Sequence, residues 1–417
     1  MTTEPAVFEG LSADRFLDID LTSEDLRQNF RAVLSQWATQ PPFYVMQSGS
    51  PQAVVARFAD VREVLGNRER FSSVPPQRAA GKFQKFMPSK FMTVTPPTQM
   101  EGPVHSRIRR LINPAFSPAA IDDYKPRIDA TIAAIVAKMK ADGPLVDGMA
   151  AFATQLMPAV LLQDLFNLSP EHAQIFVDMN RALKLTARMR PGEAFPPEYL
   201  ERFNRAEAAI NTILAERLAN PGDDLISKLA LTVDGGDQLT REDLFDLVFT
   251  FTVGALDSTA TATGGVLYSL LSHPDQLEEL KQDLSLLPTA IEEGYRYHGA
   301  GFLLFTRYAL QDTELNGVPF LEGMPVYVCH QAASYDPDVY PDPLRFDIRR
   351  NPANVMMFGG GIHHCVGHRL ARTVIETALG QLFRAFPGVQ LADPAFKPRL
   401  DGANSETQLT TLPLRLW

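Results

Sequence analysis

The stretch Phe358-Gly359-Gly360-Gly361-Ile362-His363-His364-Cys365-Val366-Gly367 joins three consecutive glycines to a cysteine. Consecutive glycines let the backbone turn tightly and approach something flat or bulky. The next run, His368-Arg369-Leu370-Ala371-Arg372-Thr373-Val374-Ile375-Glu376, has the pattern of a helix opening. A thiolate at a helix N-terminus is favoured by the macrodipole and by free N–H groups that can bond the sulfur, a geometry suited to axial ligation of a metal. Two plainer readings stand beside it. One is a buried structural cysteine. The other is a zinc site drawn from His363, His364, Cys365 and His368, although the usual paired-Cys and paired-His spacings are absent. The rest of the chain has to choose among them.

The chain has 417 residues, 45% of them hydrophobic and 21% charged, which is ordinary for a soluble globular protein. Its net charge of −10 argues against general nucleic-acid binding. Cys329 and Cys365 are the only cysteines; if one ligates a metal no disulfide can form, which fits a reducing, cytoplasmic setting. Met1-Thr2-Thr3-Glu4-Pro5 lacks the basic and apolar regions of a signal peptide. The longest apolar stretch, between Asp246 and Asp257, is too short to span a bilayer, so no membrane anchor is expected.

Residues 22–40 carry apolar side chains at helical spacing, and Pro41-Pro42 stops them. Phe43–Met46 and Ala53–Phe58 flank Gly49-Ser50-Pro51 as a β-hairpin. Residues 72–102 read as a long irregular loop with Phe83, Phe86, Met87, Phe91 and Met92, of the kind that covers a substrate. Helices are expected at 103–117, 119–141, 148–168, 170–185, 197–219, 223–231, 240–272, 274–283 and 288–298, with kinks or early stops at Pro126 and Pro158. Short strands follow at Thr306–Ala309, Thr313–Leu315 and Val326–Cys329. A meander from Asp336 to Pro352 leads to the glycine loop, then come a helix at 370–386 and a strand at Gln408–Leu416. Without repeats or an evident linker, the pattern implies one mainly α domain with a minor β portion over 1–417, the first 20 residues loosely ordered.

Three constellations carry polar chemistry. His105 and Arg109 lie four apart and share a helix face, either solvated or donating to an anion. Glu293 and Arg296 are three apart; a buried pair of this kind needs further partners, and Arg345 in the meander could supply one. The 240–272 helix is apolar almost all round, yet holds Gly254, Asp257, Ser258, Thr259, Thr261 and Thr263 midway. Buried polar groups are costly unless satisfied. Either the hydroxyls bond back to carbonyls one turn earlier, or Gly254 widens the helical ladder and the polar break relays protons.

Taken together these residues resemble the cytochrome P-450 haem-thiolate monooxygenases of the soluble bacterial type. Phe358, Gly359, Gly361, His363, Cys365, Gly367, Leu370, Ala371 and Arg372 stand at the positions of that family's haem signature. Glu293-Gly294-Tyr295-Arg296, His105-x-x-x-Arg109 and Gly254-Ala255-Leu256-Asp257-Ser258 match three further motifs in the right order. The resemblance implies the triangular helical fold with small β-sheets around a buried haem b (iron protoporphyrin IX). It makes Cys365 the iron's thiolate ligand, with His105, Arg109, Arg307 and His363 anchoring the propionates and Phe358, Gly359 and Gly367 shaping the cradle. Arg345 would complete a structural triad with Glu293 and Arg296. Asp257 and Ser258, with Thr259 as the next candidate, would deliver protons to oxygen. The family usually has Thr where this chain has Ser258, whose side chain is less restricted about χ1.

The same resemblance places Phe83, Phe86, Val253, Gly254, Ala300, Phe302, Leu303 and Thr407 along the substrate pocket. These are mostly apolar, as suits a hydrophobic, terpenoid-like or aromatic small molecule. O2 and electrons from a separate ferredoxin and its NAD(P)H-dependent reductase are implied, with the chain itself a monomer. Arg107, Arg110, His364, Arg369 and Arg372 would form a basic docking face for the donor. A peroxide-using peroxygenase of the same fold and a non-catalytic haem-binding or sensor protein are the alternatives.

Overall fold

The computed structural model describes residues 9–47, 49–76, 95–186, 194–299, 304–353, 355–403 and 406–417. Helices dominate them. The long helices that build or surround the site are α1 (Gly102–Ile112), α2 (Pro118–Asp142), α3 (Pro170–Thr186), α4 (Pro197–Ala219), α5 (Arg241–Leu271), α6 (Leu287–Tyr297) and α7 (His368–Ala385), with α2 and α4 contributing only packing. One apolar cluster gathers side chains from nearly all of them, from Leu21 to Leu416. This is the mainly α architecture with a small β portion that the residue pattern implies.

α5 is the axis of this core. Thr240 caps it with a reciprocal box to Asp243, and both carboxylates of its first turn favour the dipole. It crosses α6 closely because glycines stand at the contact. A Cβ at Gly265 would lie 2.4 Å from the His298 ring and one at Gly294 2.7 Å from Val266. The helix remains α-helical through Gly254, so the widened ladder expected there is not present.

A five-stranded sheet forms the β portion. Its strands are β1 (Phe43–Gln47), β2 (Ser50–Val55), β3 (Phe71–Ser72), β4 (Leu304–Ala309) and β5 (Pro325–Cys329), in the order β1-β2-β5-β4-β3. Only the β2–β5 pair is parallel, with Val326 opposite Ala53. A second apolar cluster packs against this sheet.

Several boundaries differ from the residue pattern. The 22–40 segment breaks at Asn29 into Glu24–Gln28 and Phe30–Trp37. α2 runs through Pro126 without stopping. At Pro158, which cannot donate, the backbone widens into π-helical turns over Pro158–Leu165, closed by Phe166 N–H to the Leu161 carbonyl. Instead of one strand over Gln408–Leu416 there are two, Glu406–Leu409 and Pro413–Arg415. Phe58 does not end a strand. It opens the helix Phe58–Gly66, its N–H held by the Asp336 carboxylate at 2.8 Å. No described helix is long and apolar enough to cross a membrane.

Candidate active site

The glycine loop is built around two left-handed residues, Gly359 (φ 70°) and Gly361 (φ 63°). At Gly361 a Cβ would lie 2.3 Å from the Leu65 carbonyl oxygen, so only glycine fits against the Phe58–Gly66 helix. The Cys365 N–H donates to the Phe358 carbonyl at 3.0 Å and closes the loop just ahead of α7. Phe358 meets Tyr295 edge-on at 5.5 Å and carries the Arg372 guanidinium 4.3 Å over its ring.

Cys365 is exposed, yet burial raises its thiol pKa. Both hold if the sulfur lines a recess inside the molecule. The Gly367 N–H, Arg109 and Arg372 oppose that shift without overcoming it, so the pull of the helix end alone does not ionise the free thiol. Cys329, by contrast, is fully buried and its thiol is pushed up to about 12.

Basic side chains gather around this recess and around Glu101 beside it. His105 is buried on α1 with its ring 4.6 Å from that of His363. Burial, then the neighbouring His363 and Arg109, push it down to about 4. Arg109 has no hydrogen-bond or ion-pair partner among the described residues, and burial lowers its pKa against the opposing influence of Cys365. Arg307 on β4 is 9% exposed and, among the described residues, donates only to the neighbouring Thr306 carbonyl, at 3.1 Å.

Glu101 was not singled out by the sequence, although it directly precedes α1. It accepts from Ser73 N–H at 3.0 Å and Ser73 Oγ at 2.9 Å, and lies 3.2 Å from His363 Nε2. Burial works against its ionisation, but these bonds outweigh burial and hold it down at about 2. His363 therefore gives its Nε2 to Glu101 and Ser73.

On α5, Asp257 and Ser258 do not meet. Asp257 accepts from Asn180 at 2.6 Å and pairs with Lys184 at 2.7 Å, both on α3. Lys184 also donates to Gln408 at 2.9 Å. Ser258 Oγ donates to the Gly254 carbonyl at 2.6 Å, the plainer of the two readings for these hydroxyls. Thr259 is buried, and its carbonyl accepts from Thr263. A Cβ on Gly254 would meet open space, with partly buried Val253 beside it. Thr407 is buried on the Glu406–Leu409 strand, which packs against α5. Phe83, Phe86, Ala300, Phe302 and Leu303 lie outside the described residues.

The triad has a different third member. Glu293 and Arg296 are fully buried and pair bidentately at 2.7 and 2.8 Å. The side chain that joins them is Arg350, with Nε 3.2 Å from Glu293 Oε1. Arg345 is 67% exposed and pairs with Asp347, offering the knot only its carbonyl. The meander turns between the two arginines, so that Arg345 points outward and Arg350 inward.

Two further expectations change. Arg107 is bound to Asp237 and Asp243, Arg110 to Asp234 and Asp237, and Arg372 to Glu292, so the face read as basic is largely neutralised. No cluster of three or more His, Cys, Asp or Glu among the described residues could hold a metal ion, which removes the zinc reading.

Residues 22–393 match the family model for cytochrome P-450. The chain is 32% identical over 378 residues to the mycinamicin IV hydroxylase/epoxidase of Micromonospora griseorubida, covering 90% of each chain. It is 32% identical over 371 residues to the nocardicin C N-oxygenase of Nocardia uniformis subsp. tsuyamanensis, covering 86% of this chain and 88% of that one. A mutant of the mixed-function P-450 MycG in complex with mycinamicin IV superposes with a TM-score of 0.81 at 28% identity, over 97% of this chain and all of the other (100%).

Proposed function

The chain belongs to the cytochrome P-450 family and is a monooxygenase of that family; from that premise we propose that it holds haem b through Cys365 and hydroxylates a hydrophobic small molecule. The observation that carries this reading is the exposed Cys365, with the under-partnered Arg109 acting on its thiol and the under-partnered Arg307 acting on Glu101 beside His363. Such a donor set suits a metal macrocycle that brings its own carboxylates. A buried guanidinium without a counter-charge is costly, and a propionate supplies one. When bound, thiolate-ligated haem supplies the oxygen-activating chemistry.

The chain's own side chains do the rest. His105, Arg109 and Arg307 bind the propionate edge, while Glu101 orients His363 through its Nε2. Phe358, Gly359 and Gly367 shape the loop, and Phe358 shields the sulfur from water. Asp257 is the proton carrier, reached from solvent through Lys184, whose side chain is 41% exposed. Once the Asp257 carboxylate has taken up a proton, it passes that proton to Ser258 Oγ as the hydroxyl leaves the Gly254 carbonyl and gives up its own proton on the substrate side of α5; Thr259, buried on another face, is the weaker candidate. Substrate lies over Val253 and Gly254 and against Thr407. A terpenoid-like or aromatic molecule suits these walls, and the named relatives act on mycinamicin IV and nocardicin C. We take the chain as one haem domain over 1–417, working as a cytoplasmic monomer. Its electrons come from a separate ferredoxin and NAD(P)H-dependent reductase.

The spectrum of the reduced carbon monoxide adduct tests the reading. A thiolate-type Soret band is expected for the wild type, with that band and all turnover lost in Cys365→Ser. An imidazole-type spectrum in the wild type would overturn it.

A further inference from the structure

Two carboxylates one turn apart on α5, Asp243 and Asp246, hold the segment that carries Glu101, His105 and Arg109. Ahead of that segment, the Thr95 N–H donates to Asp246 Oδ2 at 2.9 Å. Within α1, Arg107 Nη1 donates to Asp243 Oδ2 at 2.9 Å. The same guanidinium lies 2.9 Å from Asp237 through Nε and donates to the Gln238 carbonyl at 2.6 Å. Asp237 and Gln238 belong to a small hairpin just before α5. Asp243 is itself fixed, because Thr240 N–H donates to it at 2.8 Å in the capping box. An exposed ion pair contributes little by itself. One guanidinium spread over three acceptors on two elements is a geometric restraint instead.

His105 and Arg109 share one face of α1, and Arg107, two residues from each, lies on the other. We infer that Arg107 is a positioning residue: through Asp243 it fixes α1 against the N-terminal end of α5, and so sets where His105 and Arg109 stand around the anionic edge of the haem. This rests on the haem reading above. Arg110 provides the internal comparison. It pairs with Asp234 and Asp237 of the same hairpin but with no residue of α5 among those described.

The test is haem transfer from the holoenzyme to excess apomyoglobin, measured beside a thermal melt of each variant. Arg107→Ala should release haem about tenfold faster than wild type, in the range found when groups that orient a ligand set are removed. Arg110→Ala should stay within about twofold, as for a surface change. Arg107→Lys, which keeps the reach to Asp243 but loses the fork, should fall between them and serves if the alanine variant does not fold. Equal release from the Arg107 and Arg110 variants, or a lowered melting temperature without faster release, would overturn the inference. Arg109→Ala separates the two levels of argument. If it sheds haem rapidly while Arg107→Ala does not, only the inference fails; if it holds haem like wild type, the cradle reading fails with it.

Discussion

Two sets of buried or half-buried arginines in this molecule have opposite surroundings. In the knot beside α6, every side-chain nitrogen of Arg296 donates. It reaches Glu293 twice and the carbonyls of Ser334, Pro343 and Arg345. Glu293 in turn accepts from the Asp347 N–H and from Arg350. Near Glu101, Arg307 makes one bond among the described residues, to its neighbour's carbonyl, and Arg109, near Cys365, makes none with them. A charge whose bonds are all supplied by the chain stabilises the chain's own shape. A charge left short of partners costs free energy in the empty fold, and makes sense where a ligand completes the set.

The knot should give the largest effect. Glu293→Gln leaves the fully buried Arg296 without its counter-charge, and Arg296→Ala leaves the fully buried Glu293 with Arg350 alone as an ion-pair partner; about 3–5 kcal/mol of destabilisation is expected for the first from chemical denaturation, and somewhat less for the second. Arg350→Ala should cost about 2 kcal/mol through lost charge-assisted bonds, whereas Arg345→Ala should stay within about 0.5 kcal/mol. A reversed order of the last two would restore Arg345 to the triad. Arg307→Met should do the opposite of a knot variant. Stability of the haem-free protein is expected to be unchanged or higher, while haem affinity drops about 10–100-fold in a titration followed at the Soret band.

Ser258 could break the comparison, because its hydroxyl is already satisfied at the Gly254 carbonyl and is nevertheless assigned to proton transfer. In Ser258→Ala the product formed per NADH consumed should fall several-fold, well short of the roughly 10²–10⁴-fold in rate that a positioned acid–base group can contribute. An unchanged ratio removes Ser258 from the relay. The effect that is smallest near pH 7 sharpens the rule. His298 is fully buried with both ring nitrogens unpartnered among the described residues, and unlike the arginines it carries no charge to be met, because burial holds it neutral at a pKa of about 3. Its folded pKa is below the unfolded value of 6.5, so its contribution is intact above that value and is lost as pH falls towards 3. Between those limits His298→Leu should flatten the dependence of unfolding free energy on pH by about 1.4 kcal/mol per unit. Near pH 7 it should change the slope hardly at all.

Much of this was legible along the chain. Glycines ahead of a cysteine, the spacings His105–Arg109 and Glu293–Arg296, and the polar break at Asp257 and Ser258 are local patterns. Helix periodicity places such residues on common faces without knowledge of the fold. The comparisons then establish the family those patterns resemble. Partners chosen across the fold were not legible. Arg345 and Arg350 are equivalent by residue type, and only the turn of the meander decides which one reaches Glu293. Arg107, Arg110 and Arg372 read as a basic face because their acids, Asp234, Asp237, Asp243 and Glu292, are distant in sequence. Glu101 gains its meaning from Ser73 and His363, neither of them near it in the chain. The amino-acid sequence by itself determined which chemistry is carried, because ligand type and helical spacing are local properties. Which charges are spent on the fold and which remain for a cofactor was decided only by the tertiary structure, because a buried charge is satisfied or left short by whatever packs against it.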